Sequence, residues 1–153
     1  MDYSDSIEIA VAPEVAFAAI ADLTAMGRRS PENTGGEWLA PARGPARGAK
    51  FKGTNAHGSQ TWTTTAVVSV YEPPRRFAFE VKFGIVRISR WAFEVEATKV
   101  GCRVVETWSD QRNVIVRRRG DKDGFRRSEF TKVSIRTTLE NLQRELEAPT
   151  PPA

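Results

Sequence analysis

The sequence predicts an α+β fold in which one long C-terminal helix lies across a curved, seven-stranded antiparallel sheet, with two short helices after the first strand. Strand-like segments place aromatic or branched apolar residues at alternate positions, the period of a sheet with one buried face. Only the segment Phe125 to Glu147 is long enough to cover such a sheet. A single helix over a strongly curved sheet leaves an apolar space beneath it, and such a space is the first place to expect a ligand.

The beginning of the chain predicts one strand followed by two short helices. Apolar and polar residues alternate from Asp5 to Val11, which is typical of a half-buried strand. Pro13 suits the first turn of a helix, because its missing N–H would have no partner there in any case. Asp22 is placed to cap a second short helical segment through Leu23 and Met26.

Six further strands and the long helix follow. Turn residues separate strands predicted at Glu37–Leu39, Phe51–Asn55, Gln60–Tyr71, Arg76–Phe83, Ile88–Ala97 and Cys102–Trp108. Alternation along the strand from Gln60 places Val70 on the same apolar face as Val68. After a basic loop, apolar residues recur at three- and four-residue steps from Phe130 onward, which indicates one helical stripe.

Length and composition favour one domain. The chain has 153 residues, so we expect a single domain over residues 1–147 and a disordered, proline-rich tail over residues 148–153. No apolar run approaches the roughly 20 residues that span a bilayer, and the polar start lacks the features of a secretory signal, so a cytoplasmic location is expected. Cys102 is the only cysteine, which excludes an internal disulfide; no metal site is predicted.

The formal net charge of +4 is concentrated in one segment. Seven arginine and lysine residues fall between Arg112 and Arg127. Clustered arginine can neutralise phosphates, but no known nucleic-acid-binding motif is visible, and no specific nucleic-acid partner is predicted. Contact with an acidic partner or an anionic membrane surface stays open, beside the simpler interpretation of a solvated loop.

The candidate lining of the space consists of large aromatic residues on the apolar face of four strands and two apolar residues of the long helix. They are Trp62, Phe79, Phe83, Trp91, Phe93, Trp108, Ile135 and Leu139. Each large aromatic side chain brings about 150–250 Å² of burial, enough to hold a flat or chain-like hydrophobic molecule. The alternative is a filled core, because apolar faces in proteins are usually closed.

Glu106 is the sharpest candidate among the polar residues. It lies between Val104 and Trp108 on their own apolar face. Burial there would raise the pKa of its carboxyl, which would then serve as a general acid or base or anchor a ligand hydroxyl or amine. The alternatives are a buried ion pair or hydrogen bond, or a register shifted by a bulge.

Three further polar residues are candidates. Asn55 shares a strand face with Phe51, and Thr64 lies near Trp62, so both are predicted to orient a polar group of a ligand. His57 is the only histidine and is the second candidate catalytic residue, because its side chain exchanges protons near neutral pH. The alternative for His57 is an exposed turn residue.

Several local sequences carry a family resemblance. They are IAVAPEVAF (residues 9–17), SPE (30–32), GGEW (35–38), GAKFKGTN (48–55), EPPRRFAF (72–79), WAFEVE (91–96) and GCRVVE (101–106). With the order of strand, short helices, meander and long helix, they resemble START-like helix-grip domains of the SRPBCC superfamily, in particular its polyketide cyclase/dehydrase and lipid-transport branch. The resemblance covers about residues 4–147. It implies a deep apolar pocket between sheet and last helix, and no particular reaction.

The expected function is the binding or transport of a small hydrophobic ligand that is lipid-like or polyketide-like. A polyketide cyclase, aromatase or dehydratase is the first alternative, and a regulatory interaction domain using the basic segment from Arg112 to Arg127 is the second. No cofactor is expected, and the chain is expected to be a monomer or a homodimer. Ligand entry would need movement of helices, with Gly27 and either Gly120 or Gly124 as hinges.

Overall fold

The structure is a computed structural model that describes residues 2–122 and 125–149. Within those residues, seven strands form one antiparallel sheet: β1 (Asp2–Ile9), β2 (Asn33–Trp38), β3 (Lys50–His57), β4 (Gln60–Glu72), β5 (Arg76–Phe83), β6 (Val86–Ala97) and β7 (Cys102–Asp110). The helices are α1 (Pro13–Ala21), a 3₁₀ helix (Leu23–Arg28), α2 (Val114–Gly120) and α3 (Arg127–Glu147). The curved sheet with its long C-terminal helix confirms the predicted α+β helix-grip fold.

The strand order places the two ends of the chain together. Strands β2 to β7 form a meander, and β1 returns to pair with β7, which gives the order β1-β7-β6-β5-β4-β3-β2. Helix α3 packs across β1 and β7. Arg136 of α3 lies 2.7 Å from Asp5 of β1, and the backbone N–H of Ala10 donates to Glu147 over 2.9 Å. The last helix is therefore fastened to the first strand along its length.

Helix α1 covers a filled part of the sheet. Its Phe17 ring lies 5.8 Å from the Tyr71 ring and 6.4 Å from the Phe77 ring, and Phe77 lies 6.5 Å from Phe93. All but Tyr71 are almost fully buried. As predicted, Pro13 begins α1. Close aromatic packing at this end of the sheet leaves the space for a cavity at the other end.

The predicted position of Val70 on the apolar face is wrong. The pairing of β4 with β5 shifts by one residue between Val68 and Val70, so that Tyr71 rather than Val70 lies opposite Phe77 and packs against the core. Such a bulge reverses the sides of every residue beyond it.

The predicted basic loop after β7 contains a helix that sequence reasoning missed. Helix α2 spans only seven residues, and Asn113 caps it by accepting a hydrogen bond from the N–H of Val116 over 2.9 Å. A helix this short shows no periodicity in sequence. Gly124 and residues 150–153 of the predicted tail lie outside the described residues, and within the described ranges no helix has the length and apolar character to cross a membrane.

Candidate functional site

A cavity of about 320 Å³ lies between the concave face of the sheet and α3. Side chains of β3 to β7 form most of its wall, the 3₁₀ helix contributes Leu23 and Met26, and α2 contributes Val116 and Gly120. Helix α3 closes the remaining side. The volume falls at the lower end of the range of small-molecule sites, about 300–1,000 Å³.

Eight of the ten predicted ligand-binding residues line this cavity. They are Asn55, Trp62, Thr64, Phe79, Phe83, Trp91, Phe93 and Trp108. Ile135 and Leu139 do not line it and pack in the hydrophobic core beside it. Leucine and isoleucine on α3 therefore mark the filled part of the interior, and their predicted place in the cavity wall is corrected.

The face of α3 that lines the cavity carries hydroxyl groups. Thr131, Ser134 and Thr138 follow one another at steps of three and four residues and are almost fully buried. This spacing puts them on one side of the helix, next to the apolar stripe that contains Ile135 and Leu139. The sequence shows the spacing of these hydroxyls, but serine and threonine usually face solvent, so the sequence alone does not place them in a cavity wall.

Glu106 lies in the cavity wall with its carboxyl out of water. It faces Phe93 across β6 and Asp5 across β1, and only 3% of its surface is exposed. Its Oε2 atom is buried and has no hydrogen-bond partner among the described residues. Burial, assisted by the negative charge of Asp5, raises the pKa of Glu106 to about 8. At neutral pH the group is therefore mostly protonated and has a proton to donate.

Arg136 of α3 pairs with Asp5 and not with Glu106. Arg136 donates to Asp5 over 2.8 Å, and this hydrogen bond is the main reason why the pKa of Asp5 lies below its ordinary range. The pair leaves a charged Asp5 beside an uncharged Glu106. The buried ion pair that was an alternative for Glu106 is not formed by the residues that the structure describes.

An amide and hydroxyl chain forms a second polar region of the wall. The amide of Asn33 donates to Asn55 over 3.4 Å, and the amide of Asn55 donates to Thr64 over 3.2 Å. Nearby, the indole N–H of Trp91 donates to Ser89 over 3.1 Å. These contacts fix the orientation of groups that border the cavity, as a site that selects a ligand's polar atoms requires.

His57 lies at the rim and does not line the cavity. It is exposed on the turn between β3 and β4, and its ring lies 5.1 Å from Phe125 and 4.9 Å from Phe130. The guanidinium of Arg127 stacks over the same two phenylalanines and also pairs with Glu32. The histidine therefore connects the β3–β4 turn to the start of α3, and its position offers no support for proton transfer inside the cavity.

Helix α2 covers part of the cavity and is held by a buried arginine. Arg112 donates to both carboxylate oxygens of Asp110 over 2.9 Å and to Asp121 over 3.2 Å, so it joins the two ends of α2. Asp121 also accepts a hydrogen bond from the N–H of Arg127 at the start of α3. No residue of α2 is fully buried. Polar contacts at its ends, more than apolar packing, keep this cover in place.

The site contains no evident metal-binding group. Across residues 2–122 and 125–149, no cluster of three or more His, Cys, Asp or Glu side chains is suitable for a metal ion. Cys102 is fully buried, and burial raises the pKa of its thiol, which fits a structural residue.

Comparisons with solved structures agree with this architecture. The chain is 31% identical to the polyketide cyclase-like protein Cgl2372 of Corynebacterium glutamicum, with 95% of this chain and 91% of that one aligned and a TM-score of 0.62. Protein CV1439 of Chromobacterium violaceum is 12% identical, with 97% and 99% aligned and a TM-score of 0.73.

A third similar structure is BexL, a di-domain ARO/CYC protein from the BE-7585A biosynthetic pathway. The identity is 14% and the TM-score 0.74, with 98% of this chain aligned to 51% of BexL, so the chain spans about half of that protein. At such low identities, the similarity to BexL and to CV1439 shows the fold alone. No curated protein matches the chain. A family model described as polyketide cyclase/dehydrase and lipid transport matches residues 1–147, and the chain belongs to that family.

Proposed function

We propose that the protein binds and carries a small hydrophobic molecule, lipid-like or polyketide-like, in the cavity under α3. One observation carries the proposal: aromatic side chains of four strands surround a space of about 320 Å³ that they do not fill. Protein interiors are ordinarily packed to the density of organic crystals, and spaces of this size are rare unless something occupies them.

Apolar burial supplies most of the affinity. A ligand that transfers about 200 Å² of apolar surface into the cavity would gain about 5 kcal/mol before the entropic cost of binding. The rings of Trp62, Phe79 and Trp91 offer flat surfaces for a ring system or an extended chain.

Polar atoms of the wall select among hydrophobic molecules. The protonated carboxyl of Glu106 donates a hydrogen bond to a carbonyl or hydroxyl oxygen of the ligand, and this bond satisfies a group that otherwise has no partner. Asn55 and Thr64 provide a second polar contact on β3 and β4, on the same concave face but several strands away from β7. A ligand with oxygen atoms at two separated positions fits this arrangement best.

The proposal is tested by native mass spectrometry of the purified protein, followed by denaturing extraction and identification of any released molecule. We expect an apolar adduct that is lost when Trp91 is changed to Ser. The exposed Val133 of α3, changed to Ser in the same way, provides a control that retains the adduct. A protein without any adduct that also binds no hydrophobic probe would contradict the proposal.

A cyclase, aromatase or dehydratase is the second candidate, and Glu106 is the observation that favours it. A carboxyl with a pKa of about 8 in an apolar cavity exchanges protons near neutral pH, as a general acid or base must. Glu106→Gln keeps a hydrogen-bonding side chain but cannot transfer a proton. Turnover of a polyketide by the wild type, lost in this variant while binding persists, would identify an enzyme. Binding without turnover in both would identify a carrier.

A further inference from the structure

We propose that the rim of the cavity is a docking surface for an anionic lipid bilayer. This proposal goes beyond ligand binding, because it concerns the outer surface around the opening and not the cavity wall. The docking surface consists of the β5–β6 turn (residues 83–87) and helix α2.

Both parts of the docking surface expose large apolar side chains to solvent. On the β5–β6 turn, Ile85 is 98% exposed and Phe83 is 55% exposed. On α2, Val114 is 60% exposed and Ile115 is 65% exposed. Exposed apolar residues are ordinary when they are scattered, but four on two short segments that border the same cavity indicate a surface that meets an apolar partner.

The two segments lie on the same opening of the cavity. Phe83 lines the cavity and is also more than half exposed, so the cavity reaches the surface beside it. Gly120 of α2 also lines the cavity and is exposed. The backbone N–H of Gln111, which leads into α2, donates to the carbonyl of Ile88 at the start of β6 over 3.0 Å, and so joins the two segments.

Positive charge surrounds the apolar side chains. Lys82 and Arg87 flank the β5–β6 turn, and Arg118 and Arg119 are exposed on α2. None of the four forms an ion pair with a described residue, and neither segment contains an acidic residue. Cations behind protruding apolar tips match an anionic bilayer, in which headgroups attract the charges while the tips enter the hydrocarbon boundary.

A bilayer fits this surface better than an acidic protein or a nucleic acid. The apolar groups stand on a turn tip and on a short exposed helix, and such protrusions enter a soft surface without needing a matching groove. The cavity opens between them, so a hydrophobic ligand would pass into lipid without crossing water. Docking would thereby place the opening where a hydrophobic molecule is soluble.

The test is co-sedimentation of the full chain with vesicles of phosphatidylcholine alone and of phosphatidylcholine mixed with phosphatidylglycerol. We expect binding to the anionic vesicles only, weakened in high salt. Ile85→Ser is expected to weaken binding by about tenfold and the pair Arg118→Ser with Arg119→Ser by about thirtyfold, since each change removes one of the two attractive contributions.

The controls are matched in exposure and in charge change. Val100→Ser removes another exposed apolar side chain on the β6–β7 turn, and Arg43→Ser with Arg47→Ser removes two exposed cations from the β2–β3 connection. Both controls are expected to bind as the wild type does.

Two results would overturn the proposal. One is the absence of binding to anionic vesicles at low salt. The other is binding that the arginine changes abolish but Ile85→Ser leaves intact, which would indicate purely ionic contact with an acidic partner. Ile85, Arg118 and Arg119 do not line the cavity, so these variants should retain the ligand. Failure of docking is thus distinguishable from failure of ligand binding.

Discussion

Changing Glu106 to Gln should remove the pH dependence that this residue gives to stability. The wild-type carboxyl is buried on β7, next to the charged Asp5 and without a hydrogen-bond partner among the described residues. Gln has nearly the same shape and is neutral at every pH. The variant therefore removes the titration of this group and leaves the cavity wall in place.

The magnitude follows from the difference between the folded and unfolded pKa. Burial raises the pKa of Glu106 from 4.5 to about 8, so between these pH values the folded chain keeps a proton that the unfolded chain releases. The stabilisation is fully present below pH 4.5 and is lost as the pH rises through 8. At about 1.4 kcal/mol for each pH unit, the loss over this window is on the order of 5 kcal/mol.

The assay is urea unfolding of both proteins between pH 5 and 9, followed by fluorescence of the four tryptophans. Other titrating groups contribute alike to both proteins and cancel in the difference. We expect the free energy of unfolding of Glu106→Gln to rise by several kcal/mol relative to that of the wild type as the pH rises. Glu94→Gln, at an exposed position of β6, is the control whose difference should stay constant. A constant difference for Glu106→Gln as well would refute the reasoning.

Three further predictions follow from the geometry. Thr138→Leu enlarges a side chain of the cavity wall and should weaken ligand retention in native mass spectrometry, whereas Thr137→Leu, one residue away and outside the wall, should not. Gly36→Ala should lower the melting temperature, because its Cβ would lie 2.2 Å from a backbone oxygen of β3, whereas Gly44→Ala meets no atom within 4 Å and should be neutral. Arg112→Ala should lower the free energy of unfolding in urea by about 3 kcal/mol, since the buried carboxylate of Asp110 loses its closer ion pair and keeps the 3.4 Å contact to Arg117, and should speed amide exchange in α2.

Much of the fold was predictable because alternation and capping act locally. Pro13 begins α1 and Asp22 accepts a hydrogen bond from the N–H of Thr24, both as the sequence predicted. Val70 was misplaced because a bulge depends on how two strands pair, and the sequence of β4 alone does not contain that information.

The site was predictable only on its sheet side. A strand shows one face at every second residue, so Trp62 and Trp91 could be assigned to the wall directly. A helix can bury more than one stripe of its surface. The apolar stripe of α3, with Ile135 and Leu139, predicted the wrong face of the helix for the cavity wall, because the hydroxyl stripe borders the cavity. Arg112 was beyond reach for another reason: its role depends on Asp121, which α2 brings near it only in the folded chain.

Glu106 and the cavity are easiest to understand together. An unfilled space and an unpartnered buried carboxyl each lower the stability of a folded protein. A leucine in place of Glu106 would relieve the second cost and reduce the first, yet the chain has a carboxyl between the apolar side chains of Trp108 and Phe93. A ligand with an oxygen atom facing Glu106 would remove both costs at once, because it fills the space and accepts a hydrogen bond from the protonated carboxyl. The wild type should therefore gain more stability from its ligand than Glu106→Leu does, and equal gains by both proteins in thermal unfolding would show that the carboxyl takes no part in binding.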